Sequence, residues 1–354
     1  MSFPARRNTF LAASVACLIT STSCHAHPEP FGTWNGLGQR NEHEMISRVA
    51  FQCAEGAKSL PPYDCFEPLT LGNLAGTHVG KVLGAGDNGM IGSPDDLLPE
   101  PAEAHCDDAD FMDIEGYPKT RDQATQQLQA CIDHLRMRFG QAVRGVTRLL
   151  DAQGVVIEGQ AKLKDENECD HDWREETDNT KDKAKCVTLE GFGRALHGLQ
   201  DFYAHSNWAD LPNASQAVSV TNPPGLNRTD QAPFIDLRAN GSIAEQVPRD
   251  LSTGCYVLID KAKGVLQCKN RVTHFTMNKD HGIVELSGSA TGDPDDVPRN
   301  AVAGNFEKAV AAAVTGSREQ WANLRSEIIK TYGQEKGTKM VCALVSDNPV
   351  VDCA

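Results

Sequence analysis

Aromatic residues make up only 6% of this 354-residue chain, too few to read a base-stacking platform from the sequence. Basic residues are outnumbered as well, 34 against 48 acidic, giving a net charge of −14. A surface that tracks nucleic-acid phosphates is usually basic, so the balance argues against an extended nucleic-acid surface. Anionic membranes are disfavoured on the same ground, unless a metal or a local patch overrides the mean field. Long apolar runs are also missing. Beyond the first residues none approaches the roughly 20 that cross a bilayer, which excludes a transmembrane segment and leaves peripheral membrane contact.

Cysteine, glycine and proline are not scarce, at 12, 30 and 18 residues. The opening "MSFPARRNTFLAASVACLITSTSCHA" has Arg6 and Arg7, an apolar run from Phe10, and small residues near Ala26. That pattern reads as a signal peptide over residues 1–26 and a secreted mature protein starting near His27. Ten cysteines remain after its removal, an even number that in an exported chain reads as disulfides. Proximity pairs Cys53 with Cys65, Cys169 with Cys186, Cys255 with Cys268 and Cys342 with Cys353, leaving Cys106 with Cys131, although many connectivities fit. Sequons at Asn213, Asn227 and Asn240 cluster in one polar segment and mark a glycoprotein if the pathway is eukaryotic.

Four stretches repeat apolar residues at helical spacing. They are "NEHEMISRVAFQCAEGAK" from Asn41, "RDQATQQLQACIDHLRMRFGQAVRGVTRLL" from Arg121, the run from Thr188 to Asp210, and "GNFEKAVAAAVTGSREQWANLRSEIIKTYG" from Gly304. Between the last two, residues 211–305 read as loops with one hairpin, "CYVLID" and "GVLQCKNRVTHFTM" around the turn "KAKG". The expectation is a single, mainly α domain over residues 27–354 with a loop and β-hairpin insertion.

The third helical stretch contains "GRALHGLQDFYAHSNW", with His197, Asp201 and His205 at intervals of four. Positions i, i+4 and i+8 drift only about 80° around a helix, so the three side chains share one stripe. Two imidazoles and a carboxylate in register suit a borderline divalent metal such as zinc. The alternative is a core helix with hydrogen-bonded histidines, which Leu196, Leu199, Phe202 and Trp208 would equally support. Other candidates lie elsewhere: His43 at a helix start, and Asp95, Asp96, His105, Asp107, Asp108 and Asp110 in one loop. Together with the stripe they could complete a trio of sites, as zinc clusters for phosphate-ester hydrolysis draw ligands from several segments.

"GRALHGLQDFYAHSNW" resembles the signature of the Het-C family, which is similar to the zinc-dependent phospholipase C and single-strand nuclease superfamily. "WNGLGQRNEHEMISRVA", "HCDDADF" and "MNKDHG" follow the same order. The resemblance implies a helical bundle of the zinc-dependent phospholipase C type around one to three zinc ions. It implies His43, Asp96, His105, His197, Asp201 and His205 as ligands, with Asp96 bridging two metals and acting as catalytic base. Weaker metal candidates are Trp34, if the mature chain begins there; Asp108, at the His-x-x-Asp spacing from His105; and the late pair His281 and Glu285.

The expected function is a secreted zinc-dependent phosphodiesterase, phospholipase C-like, acting on a phospholipid or another phosphodiester. The alternative is a non-catalytic secreted recognition protein that keeps zinc for stability. A disulfide-rich binder without metal is the third reading.

Overall fold

In a computed structural model, the structure describes residues 35–36, 39–79, 87–96, 101–169, 182–256, 266–293 and 297–354. The expected signal peptide, Trp34 and the "KAKG" turn lie outside the described residues. The fold is mainly helical, and one hydrophobic core runs from Ile46 to Cys353. Among the described residues no helix is long and apolar enough to cross a membrane.

Two short antiparallel strands, β1 (Asn35–Gly36) and β2 (Gln39–Arg40), lead into α1 (Glu42–Phe51). Then come α2 (Pro68–Ala75) and the single turn α3 (Gly89–Gly92), which runs into a 3-10 turn at Ser93–Asp96. The long α4 (Arg121–Gly145) starts at Thr120. There Thr120 and Gln123 exchange side-chain and backbone hydrogen bonds in a capping box that satisfies two otherwise orphaned N–H groups. Its Ala124, Leu128, Cys131, Leu135 and Phe139 are buried, as their spacing requires. After the short α5 (Glu158–Ala161) comes α6 (Ala184–His205), the central element, with all 22 of its residues buried.

Such a helix needs close neighbours, and its glycines admit them. A Cβ on Gly193 would stand 2.7 Å from Met90 C, and one on Gly198 would stand 2.4 Å from Ala104 O. Their absence lets α3 and the turn before His105 press their backbones against α6 on either side of His197. Later come the turn α7 (His274–Met277), the long α8 (Asn305–Tyr332), then α9 (Gln334–Val345) and α10 (Pro349–Asp352). Phe306, Val310, Trp321, Leu324 and Ile328 of α8 face the core.

All five cysteine pairs are the ones proximity picks: Cys53–Cys65, Cys106–Cys131, Cys169–Cys186, Cys255–Cys268 and Cys342–Cys353. The insertion differs from its expected form. "GVLQCKNRVTHFTM" is not a strand among its described residues. It holds a 3-10 turn at Leu266–Cys268 and then α7, because the Thr273 hydroxyl accepts from Thr276 N and starts a helical turn. The hairpin lies further on, where β3 (Gly282–Val284) pairs antiparallel with β4 (Ala290–Gly292).

Candidate metal centre

The stripe on α6 is real, and it faces inward. His197, Asp201 and His205 are each 0% exposed. Three other segments bring donors to it. From α1, His43 places Nε2 3.2 Å from Asp201 Oδ1. From the loop pressed against Gly198, His105 places Nδ1 2.7 Å from Asp201 Oδ2 and 3.0 Å from His197 Nε2. From the 3-10 turn, Asp95 Oδ1 stands 3.6 Å from His197 Nε2. Asp201 therefore sits between imidazoles on both oxygens.

Further along the stripe a second set gathers around His205. Asp280 Oδ1 is 3.2 Å from His205 Nε2, and Asp280 Oδ2 is 4.0 Å from His274 Nε2. On the opposite edge of both rings, Asp107 accepts from His274 Nδ1 at 3.0 Å and stands 3.6 Å from His205 Nδ1. The two sets meet at Asp201, whose Oδ1 is 3.9 Å from His205 Nε2.

The ring tautomers follow from the outer partners. His197 Nδ1 donates to Ile91 O at 2.8 Å, leaving the Nε2 lone pair for the cluster. Gln200 Nε2 donates to the Ser47 and Ser317 hydroxyls at 3.2 and 3.1 Å, so its Oε1 accepts from His43 Nδ1 at 2.8 Å. This too turns an Nε2 lone pair inward.

Electrostatics agree with a cation site. Burial alone would raise the Asp201 carboxyl, but the surrounding His197, His205 and His43 hold it well below the ordinary range. Burial pushes His197 down to about 3, a neutral donor. For His274, burial lowers the pKa but Asp107 more than offsets it, to about 9.

Asp201 Oδ1, both Asp280 oxygens and both His205 nitrogens are buried without a hydrogen-bond partner. A buried acceptor left unsatisfied costs about 1–3 kcal/mol, more when charged. One His205 nitrogen carries that ring's proton; the other nitrogen and the carboxylate oxygens of Asp201 and Asp280 are acceptors that a divalent ion would satisfy. The donors are imidazole nitrogen and carboxylate oxygen, a set that fits zinc and other first-row divalent ions. The cluster of His, Asp and no sulfur could hold an ion in three ways, the first two sharing His197: His43 with His197 and Asp201, Asp95 with His105 and His197, or His205 and His274 with a carboxylate, either Asp107 on their Nδ1 edge or, since Asp107 accepts from His274 Nδ1, Asp280 on their Nε2 edge. His197 has one free nitrogen, so it serves one ion at a time.

The expected ligands His43, His105, His197, Asp201 and His205 are thus brought together. Asp96 belongs by its backbone to the turn Ser93–Asp96, and its side chain lies outside the described residues; its neighbour Asp95 reaches the cluster. Asp108 turns away from it, toward Tyr256 N at 3.3 Å and Arg271 at 3.5 Å. Cys106 and Asp108 both have left-handed backbones, with φ of 56° and 66°, and this contorted turn presents Asp107 instead. Asp108 also lies near Cys255 and Cys268, but those sulfurs are joined and offer no thiolate. His281 is buried beside Asp280, whereas Glu285 is exposed at the hairpin end, so the late pair is not assembled. Sequence reasoning had Asp95 and Asp107 only among six candidates of one loop, and did not select His274 and Asp280. For His274 a signal existed, since Thr273 is a good N-cap and argued for a helical turn over a strand.

Comparison with protein-family models, curated proteins and solved structures finds no match.

Proposed function

We propose that the protein is a secreted zinc-dependent phosphodiesterase, phospholipase C-like, with phospholipids favoured over nucleic acids by the net charge of −14. The observation that carries this reading is Asp201, a fully buried carboxylate with imidazoles facing both of its oxygens. Bound zinc would supply Lewis acidity, lowering the pKa of a water and offsetting the charge of the phosphoryl oxygens.

The chain's own residues do the rest. His197 is a neutral donor, and His43, bound to an ion through Nε2, would be one too, so the ions' positive charge would remain for the phosphate. Asp201, with imidazoles facing both of its oxygens, would be a ligand shared by the two halves of the cluster. A carboxylate at the edge of the cluster accepts the proton of the attacking water. Asp95, its side chain 14% exposed, stands at that edge and takes the role expected of its neighbour Asp96. Together with His105, 9% exposed, it marks the side from which substrate enters. The five disulfides support export.

The near-complete burial of His43, His197, Asp201, His205 and Asp280 favours a second reading, a zinc-stabilised recognition protein without catalysis. Hydrolysis of short-chain phosphatidylcholine and of a chromogenic phosphodiester decides between them. The enzyme reading expects turnover that chelator abolishes and zinc restores. A metal-replete protein that hydrolyses neither substrate overturns it in favour of the scaffold.

A further inference from the structure

The two sets of ligands differ in what stands behind their imidazoles. His43 is backed by the neutral amide of Gln200, and His197 by the neutral carbonyl of Ile91, each at 2.8 Å. His274 is backed by the carboxylate of Asp107 at 3.0 and 3.2 Å, and the same carboxylate faces His205 Nδ1 at 3.6 Å. An anionic partner on one ring nitrogen raises the basicity of the other, so the metal bound there is held more tightly and is less electrophilic. A neutral partner fixes the ring without that effect.

Access points the same way. Asp95 and His105, at 14% and 9% side-chain exposure, form the open edge of the first set. Around the second set, Asp107, His205, His274 and Asp280 are exposed by 5% or less. Asp280 also adds a second carboxylate there, with both oxygens buried and without hydrogen-bond partners, facing the Nε2 atoms of both rings.

We propose that the centre is divided by its outer residues. Asp107 is a positioning residue that makes the His205–His274–Asp280 half a tight, sealed holding site. Gln200 is a positioning residue that keeps the His43–His197 half exchangeable and electrophilic. The inference rests on the metal-centre reading and assigns phosphate activation to the Gln200 half. It turns on a single chemical contrast, amide against carboxylate behind the ligand ring.

The test is release of zinc from the loaded, full-length secreted protein to a coloured chelator, followed without substrate. Wild type should release its metal in two phases. His197→Ala should remove the fast phase and His274→Ala the slow one. Asp107→Asn, nearly isosteric, should speed the slow phase by roughly 10- to 100-fold. Gln200→Glu should slow the fast phase by about tenfold or more, a gain of retention that loosened packing cannot produce. Single-phase release, an unchanged slow phase in Asp107→Asn, or faster release in Gln200→Glu would each overturn the proposal. Single-phase release from a protein that hydrolyses phosphodiesters defeats this inference alone. Biphasic release from one that hydrolyses nothing defeats the functional reading alone.

Discussion

Asp201 Oδ1 stands 3.2 Å from Nε2 of His43, a residue delivered from a different helix, and both side chains are fully buried. A carboxylate anion so placed is stabilised in the metal-free protein only by imidazoles, and a divalent ion answers it better. Asp201→Asn keeps the shape and removes the charge. We predict that the melting-temperature gain on adding zinc, worth about 2.7 kcal/mol at a hundredfold excess over Kd, collapses in this variant. A gain equal to that of wild type would show that Asp201 is only a core residue.

Asp280, rather than Glu285, completes the second set. Asp280→Asn should therefore lower the zinc content of the purified protein, while Glu285→Ala, at an exposed hairpin end, should leave it unchanged. Elemental analysis of the two variants side by side checks this. Loss of metal in Glu285→Ala, with retention in Asp280→Asn, would reverse the assignment.

Cys106–Cys131 joins the loop carrying His105 and Asp107 to α4 across 25 residues of sequence. Opening a loop of that size should cost roughly 3 kcal/mol in stability. Because both ligand sets draw on this loop, the Cys106→Ser, Cys131→Ser double variant should also bind zinc more weakly. Denaturation with and without zinc separates the two effects, and unchanged zinc affinity would mean that other contacts hold the loop.

Lys185 gives a pH prediction away from the centre. Its ammonium is fully buried, donating to Ser346 O at 2.7 Å and Thr70 Oγ1 at 3.1 Å, and burial pushes its pKa down from 10.5 to about 7. Between these values the unfolded chain binds the extra proton, so stability rises with pH. The residue's contribution is complete above about 10.5 and is lost as pH falls toward 7. Lys185→Met should flatten that slope, which is at most about 1.4 kcal/mol per pH unit. Urea unfolding at pH 7 and pH 9 measures it; parallel pH profiles for wild type and variant would contradict it.

What the sequence made legible, and what it hid, divides by the range of the interactions. His197, Asp201 and His205 could be placed on one face because helical spacing is a local property, and α4 and α8 were readable for the same reason. The disulfides were readable because each closes a short loop. His274 and Asp280 were not, and Asp107 could not be singled out from the other acidic residues of its loop. Asp107 depends on a turn in which two non-glycine residues adopt left-handed backbones, and Asp280 lies in irregular chain just after a one-turn helix. No periodicity marks either. In "GVLQCKNRVTHFTM" the described residues hold a 3-10 turn and α7 where β-branched composition suggested a strand, a weak guide where a threonine cap competes.

The central claim is a metal centre built on α6, and the most direct test is the metal-to-chain ratio of the purified, oxidised protein after equilibration with zinc and removal of free ion. The account predicts about two ions or more per wild-type chain, a sharp drop in both Asp201→Asn and His197→Ala, and a melting temperature that falls on adding chelator. Wild-type protein that retains no zinc and melts at the same temperature with and without chelator would contradict it.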